Sequence, residues 1–397
     1  MLLISGVERM GTVSASNTVK RKRYWAPTLL FASTGFLALT AVPLYGLEYG
    51  YSWQQWLAFL IITGLCGISI SAGNHRLWTH RTYKAHWMLR LWFALFSAAT
   101  LQNTTLNWCS AHRLHHRYTD NNDLDPHSSK RGLWFSHLDW MMHEYPSGRK
   151  TYDNVKDLQR DKIVMWQHRH YLPIAIGMNF AICLILGLIT GDIIAMFLLA
   201  GVLRMVVNHH AAFALNSFGH RWGKRKFKGD ISARDNPIIN VFAFGEGYHN
   251  YHHAFPADYR NGVGWFAYDP TKWLIKSLSW LGITWQLRAA TKLQIYRATQ
   301  EVEIERAEQQ LEKLATQDQE YWRELLQRER QDFCEIFDRW QALMTQRRAI
   351  APDNASGRWK LATIQTQIRE LKFRLKMQSE RLRLMMRQLP LSPATAG

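Results

Sequence analysis

The sequence predicts an all-α membrane protein with four transmembrane helices arranged as two hairpins, a cytoplasmic histidine-rich helical cap, and a C-terminal helical hairpin or coiled coil. Three observations predict it. Apolar runs of about twenty residues come in two close pairs. Most of the 17 histidines stand in short clusters beside those runs. Near residue 288 the composition shifts to Glu, Gln, Arg and Leu with heptad-like spacing. The mean hydropathy of −0.26 averages these parts and resembles that of a soluble chain. Lys+Arg total 49 against 31 Asp+Glu; residues 288–397 hold 20 and 15 of them, so the net charge is +13 before the shift and +5 after it. A basic, apolar front with a polar tail excludes a disordered chain, a disulfide scaffold and a single soluble domain, and does not require nucleic acid. Cys66, Cys109, Cys183 and Cys334 are far apart and read as small apolar residues in a reducing compartment.

Residues 1–25 are a polar cytoplasmic segment ending in the basic run Lys20 to Arg23, without the apolar core of a signal peptide. Residues 26–287 form the membrane domain. Its spans are expected at about 26–47, 56–73, 171–190 and 192–213, each near the length that crosses a hydrocarbon core of about 30 Å. Eight residues, Glu48 to Gln55, join the first pair, and Gly191-Asp192 joins the second. Arg204, late in the last span, is expected to snorkel to the surface. Residues 87–106 are apolar but carry Arg90 and a polar cluster from Gln102 to Asn107, which suits a helix lying at the membrane face or dipping into it. The hairpin tips lack Lys and Arg, whereas the other connections are basic. By the positive-inside rule both termini and the long central loop are cytoplasmic.

Residues 288–397 form the helical extension. Apolar residues recur at three and four through Ile304, Ala307, Leu311, Leu314, Tyr321, Leu325, Ile336, Trp340 and Leu343. After "APDNASG" at 351–357 they resume at Leu361, Ile364, Ile368, Leu371, Leu375, Leu382 and Leu389. Two such seams around a breaker predict an antiparallel helical pair. It offers a surface for oligomerisation or for docking an electron-transfer partner.

The chemistry lies in the histidines. Positions i, i+3 and i+4 share a helix face, so His112, His115 and His116 can present three imidazoles to one point, as can His249, His252 and His253. His75 and His80 are five apart and would splay on a regular helix; they need a second span whose end is irregular. With His220 after the last span, all groups reach the same membrane face. Imidazole binds zinc, copper, iron and nickel, and eight or nine exceed what one ion takes, so two ions are implied. A structural zinc site normally uses four ligands with cysteine among them, and Cys109 is the only nearby thiol.

"HRLWTH" at 75–80, "HRLHH" at 112–116, "FGEGYHNYHHAFPADYRNG" at 244–262 and "DPTKW" at 269–273 resemble the integral-membrane Δ9 fatty acyl desaturases, the stearoyl-CoA desaturase family. The resemblance runs from about residue 25 to about 288. It implies a four-span bundle under a cytoplasmic cap with a non-haem di-iron centre. The implied ligands are His75, His80, His112, His115, His116, His220, His249, His252 and His253, with Asn216 of "NSFGH" holding a metal-bound water. Among the other histidines, His209 and His210 precede Asn216 by almost two turns. His86, His127, His137, His143, His168 and His170 are expected at interfaces or behind the ligands.

The implied reaction inserts a cis double bond into a saturated fatty acyl chain with dioxygen and two electrons. No side chain attacks an alkane C–H bond, so the metal centre supplies the oxidation and the protein positions the chain. The resemblance assigns chain shaping to Gln102 and Trp108, and the acyl thioester end to Asn103. Three positions depart from the family. Ala212 replaces a threonine, Ser110-Ala111 an Arg-Asp pair, and His143-Glu144 a basic pair. Fewer cations weaken recognition of a nucleotide phosphate; acyl-CoA comes first as substrate, followed by an acyl-lipid or acyl carrier protein. No haem-binding His-Pro-Gly-Gly or iron–sulfur cysteine cluster is present, so a separate ferredoxin, cytochrome or reductase supplies electrons. Two rivals remain: a membrane di-iron hydroxylase of alkyl or fatty substrates, and a zinc-binding membrane scaffold.

Overall fold

The computed structural model describes residues 22–148, 151–312, 319–351 and 353–388. Lys20 and Arg21 of the basic run, and the seam residues Leu314 and Leu389, lie outside them. Among the described residues, four segments are long and apolar enough to cross a membrane: Trp25–Glu48, Trp53–Thr79, Tyr171–Thr190 and Ile193–His220.

The first span is two helices, α1 (Trp25–Leu39) and α2 (Ala41–Glu48), broken at Thr40. Pro43 has no N–H for the Leu39 carbonyl, which opens the helix there. The second span starts as α3 (Trp53–Ile68), with Ser52 and Gln55 forming a reciprocal cap, and continues as a π-helix, Ser69–Thr79. The strand β1 (Lys84–Ala85) follows, then α4 (Trp87–Ala99) and α5 (Thr105–Tyr118). The central loop carries the short α6 (Trp140–Met142) and α7 (Lys162–Arg169). The third span is α8 (Tyr171–Thr190). The fourth comprises α9 (Ile193–Met196), a π-helical turn Phe197–Leu203 and α10 (Arg204–Asn216). At the hairpin tips Tyr45 donates to Asp192, 2.8 Å away, which ties the two hairpins together.

The apolar stretch 87–106 is helical as α4 only as far as Ala99, and that C-terminal end explains Arg204. A helix end away from water leaves carbonyls without partners and a partial negative charge. Arg204 and Asn179 both donate to the Ala99 carbonyl at 3.0 Å, and His209 bonds the Thr100 carbonyl at 2.7 Å. Arg204 also donates to Asn179 and is fully buried. The expectation that it snorkels is therefore corrected. Inside the bundle its guanidinium has carbonyls to satisfy, which the surface would not provide.

The cap is completed by α11 (Pro237–Phe242), α12 (His249–Ala254), α13 (Pro270–Trp280) and the strand β2 (Thr284–Trp285). β2 pairs antiparallel with β1, Lys84 opposite Trp285, closing the cap onto the start of α4. The first described residues join it too: Tyr24 N–H donates to the Met142 carbonyl at 2.7 Å, and Glu144 N–H to the Lys22 carbonyl at 2.9 Å.

The tail is three helices, α14 (Lys292–Glu312), α15 (Gln319–Ala349) and α16 (Ala355–Gln388). The first seam is divided between α14 and α15, and the second is α16. Ile304, Leu311, Phe333, Ile336, Trp340, Ile364, Leu371 and Leu375 share one core separate from those of the membrane domain.

Candidate metal centre

The π-helix brings the first histidine pair together. On an α-helix, residues five apart point about 140° away from each other; i→i+5 bonding brings them nearly into line. The His80 N–H donates to the His75 carbonyl at 3.1 Å, and the two rings lie 4.8 Å apart. The second and third groups sit on α5 and at the start of α12. Asp235 caps α12, accepting from the Asn250 and Tyr251 N–H groups at 2.9 and 3.1 Å.

All nine predicted histidines converge, in two adjacent clusters. His75, His80, His112, His116 and His252 form one; His115, His220, His249 and His253 form the other. Each H-x-x-H-H triplet thus divides two to one, where a single focus per triplet was expected. The i and i+4 members, His112 with His116 and His249 with His253, point to one cluster. The i+3 member crosses to the other. Neighbouring residues on a helix diverge by about 100°, so His115/His116 and His252/His253 straddle the boundary between the clusters.

Nε2 atoms meet nose to nose: His75 to His252 at 2.9 Å, His252 to His116 at 2.8 Å, His116 to His112 at 3.1 Å, and His249 to His220 at 3.0 Å. A metal–nitrogen shell of about 2.1 Å places neighbouring ligand atoms about 3.0–3.4 Å apart. The Nε2 atoms of His80 and His115 are buried without a protein partner. Burial, followed by the neighbouring imidazoles, holds His80, His112, His116, His252 and His253 well below the ordinary histidine range, and pushes His249 down to about 3. Neutral imidazoles with converging lone pairs are what a transition metal ion needs. The residues present fit two metal ions.

The carboxylates and the serine behind the ligands were not foreseen from the sequence. Glu246, three residues before His249, lies 2.7 Å from His75 Nδ1 and accepts from Asn261 at 2.7 Å and from Ser71. Arg76 bridges Glu246 and Asp269 at 3.1 and 2.9 Å. Burial pulls the Glu246 carboxyl upward, but His75 and Arg76 outweigh it and hold it well below the usual range. Asp125 stands 2.9 Å from His115 Nδ1, and Ser232, also bonded to Asp120, stands 2.7 Å from His220 Nδ1. Carboxylates beside the histidine motifs, "GEG" and "DPH", were the available signal. His127 of "DPH", expected at an interface or behind the ligands, has its ring tilted against that of His115, 4.2 Å away.

Of the other expected site residues, Trp108 stacks on His112 at 4.9 Å. Gln102 donates to the Asn208 carbonyl at 3.3 Å. The Asn103 side-chain oxygen is bonded by Thr104 N–H and the Asn107 amide, and the residue is exposed just before α5. Asn216 ends α10 half-buried, with no side-chain hydrogen bond among the described residues. His209 and His210 point elsewhere, to the Thr100 carbonyl and to His137.

These features define a class: a multi-span membrane protein with two adjacent buried histidine clusters suited to a pair of metal ions. Residues 51–285 match the fatty acid desaturase family, and the chain belongs to that family. It is 42% identical over 223 residues to acyl-CoA desaturase 1 of Saccharomyces cerevisiae, covering 56% of this chain and 44% of the relative. It is 43% identical to a probable acyl-CoA desaturase of Schizosaccharomyces pombe, covering 63% and 52%, and 36% identical to stearoyl-CoA desaturase 5 of Bos taurus, covering 60% and 72%. The chain thus spans about half the length of the two yeast relatives.

Proposed function

We propose that this chain is an oxygen-dependent desaturase that inserts a cis double bond, at Δ9, into a saturated fatty acyl chain carried as acyl-CoA. The observation that carries the reading is the division of nine histidines into two touching clusters on one face of a four-span bundle. The nine are proposed to hold two iron ions, with Asn216 positioning a water. When bound, the irons supply the oxidation of an unactivated C–H bond that no side chain here can perform.

The chain's own residues orient the partners. Glu246 and Asp125 fix the ring orientation of His75 and His115. Trp108, flat against His112, and Gln102 set the path of the acyl chain, and the exposed Asn103 faces the thioester end. The names of the yeast relatives support the acyl-CoA carrier, and "Delta(9)-fatty-acid desaturase" relatives of Caenorhabditis elegans support the bond position. Arg23 donates to His143 at 3.3 Å, so the N-terminal segment brings Lys22 and Arg23 to the place where the family resemblance calls for cations.

The cap, both termini and the electron-donor surface are proposed to be cytoplasmic, in keeping with the charge bias. The donor is proposed to be a separate acidic protein. α16 carries nine Lys and Arg against two Glu, with Trp359, Phe373 and Leu384 exposed. That charge favours an acidic partner over pairing with a second α16.

Expression in a host without its own desaturase, followed by gas chromatography of fatty-acid methyl esters with double-bond location, tests the reading. A new Δ9 monoene in the wild type and none in His252→Ala is expected. No monoene in the wild type defeats it, and a hydroxylated product favours the hydroxylase.

A further inference from the structure

α11 buries Ile239 and Asn240 and turns Ile238, Val241 and Phe242 outward, at 71%, 51% and 60% exposure. Two residues on, Phe244 settles the depth of this helix. Its ring lies against Gly67 of the second span so closely that a Cβ there would stand 2.0 Å from its Cε2, and its other edge is 4.0 Å from the corresponding point at Gly64. Gly67 precedes the end of the apolar run 56–73 by six residues, so the groove lies within the run and not at its edge. Phe244 adopts φ +54, a left-handed conformation costly for a bulky residue. Seating its ring in the glycine groove offsets that strain.

The apolar face continues beyond α11. Asn240 donates to the Tyr268 carbonyl at 2.7 Å, which ties α11 to a turn where Trp265 and Phe266 are 74% and 91% exposed. Lys272 holds that turn from within, donating to the carbonyls of Gly262, Gly264 and Ala267 at 2.8–3.1 Å. Large apolar side chains exposed together mark a binding surface, and the attachment of α11 through Phe244 to the apolar second span points to lipid.

We propose that α11 and the Trp265–Phe266 turn insert into the leaflet beneath the cap, so that the cap is a monotopic membrane domain as well as the lid of the bundle. The anchor is joined directly to the metal centre. Glu246, which meets His75, comes four residues after Phe242, and His249 seven after it. Lipid contact at α11 thereby fixes the segment that carries ligands of both clusters. The inference rests on the membrane fold and not on the proposed reaction.

The test uses the full chain in phospholipid nanodiscs, with Cys334→Ser as background; Cys66, Cys109 and Cys183 are buried. A nitroxide is attached at Ile238→Cys, Phe242→Cys or Phe266→Cys, with Leu188→Cys on the third span and Arg358→Cys on the tail as references. Collision rates with dissolved oxygen and with a water-soluble nickel chelate are compared. Ratios at 238, 242 and 266 are expected to match position 188 and to exceed position 358 several-fold. Nickel collisions as frequent as at 358 would overturn the proposal, as would protection from both reagents, which would mean that protein covers the face.

Discussion

The two histidine clusters share α5 and α12, yet they are braced differently. The five-histidine cluster leans on charge. His75 meets Glu246, which is tied to Arg76, which is tied to Asp269, and all four are buried. The four-histidine cluster leans on lighter supports: Asp125 behind His115, with no cationic partner beyond the imidazoles among the described residues, and a serine behind His220. Glu246 also belongs to the segment that α11 presses against the second span, so it links cap, membrane and metal site. The difference teaches that two neighbouring sites need not share a failure mode.

Glu246→Ala breaks the comparison most severely. It leaves Arg76 with Asp269 and the Tyr259 carbonyl but without its second carboxylate, and strips Ser71, Asn261 and His75 of a shared acceptor. Breaking one side of a buried ion network costs about 3–5 kcal/mol. Thermal unfolding should show that loss, and metal analysis should find about one iron per chain, with the four-histidine cluster retained. Equal loss from both clusters would refute their independent bracing.

Asp125→Asn acts on the other side. It keeps the shape and removes the charge behind His115, so metal affinity of the four-histidine cluster should fall by about 10–100-fold, measured by chelator competition. The five-histidine cluster should be unaffected. Asp235 is common to both, because it caps the helix carrying His249, His252 and His253. Burial, partly offset by the Tyr251 and Asn250 amides, raises it to about 6 from 3.8. A raised carboxyl means that the folded chain holds an extra proton between about pH 4 and 6. The stabilisation it gives is present at the acid end and lost as pH rises through 6, by up to about 3 kcal/mol. Asp235→Asn should flatten that slope and raise the unfolding temperature at pH 7, with both clusters changing together.

The clusters were legible in the sequence to the extent that helical spacing alone defines a face. His112 with His116 and His249 with His253 could be read directly, and the spans could be read from their uncharged runs. His75 and His80 required a π-helix that no propensity scale reports; the histidines themselves demanded it. The division of each triplet between two clusters was not legible, because it depends on how α5 and α12 cross. Nor was the role of Arg204, since a cation late in a span looks alike in sequence whether it snorkels or caps a buried helix end. Glu246 was hidden for a similar reason. Its partner His75 is far away in sequence, and only the folded loop joins them.

The mildest change sharpens the comparison best. Ser232 offers His220 one neutral hydrogen bond at 2.7 Å, while its own hydroxyl and amide are held by Asp120. Ser232→Ala removes the bond and leaves the backbone contact to Asp120 in place. A neutral hydrogen bond contributes about 1 kcal/mol, so metal affinity of the four-histidine cluster should fall by about fivefold, less than for Asp125→Asn. If the serine variant instead matched the aspartate variant, His220 would be the ligand on which that cluster depends. The lighter bracing would then be a property of one ring and not of the cluster.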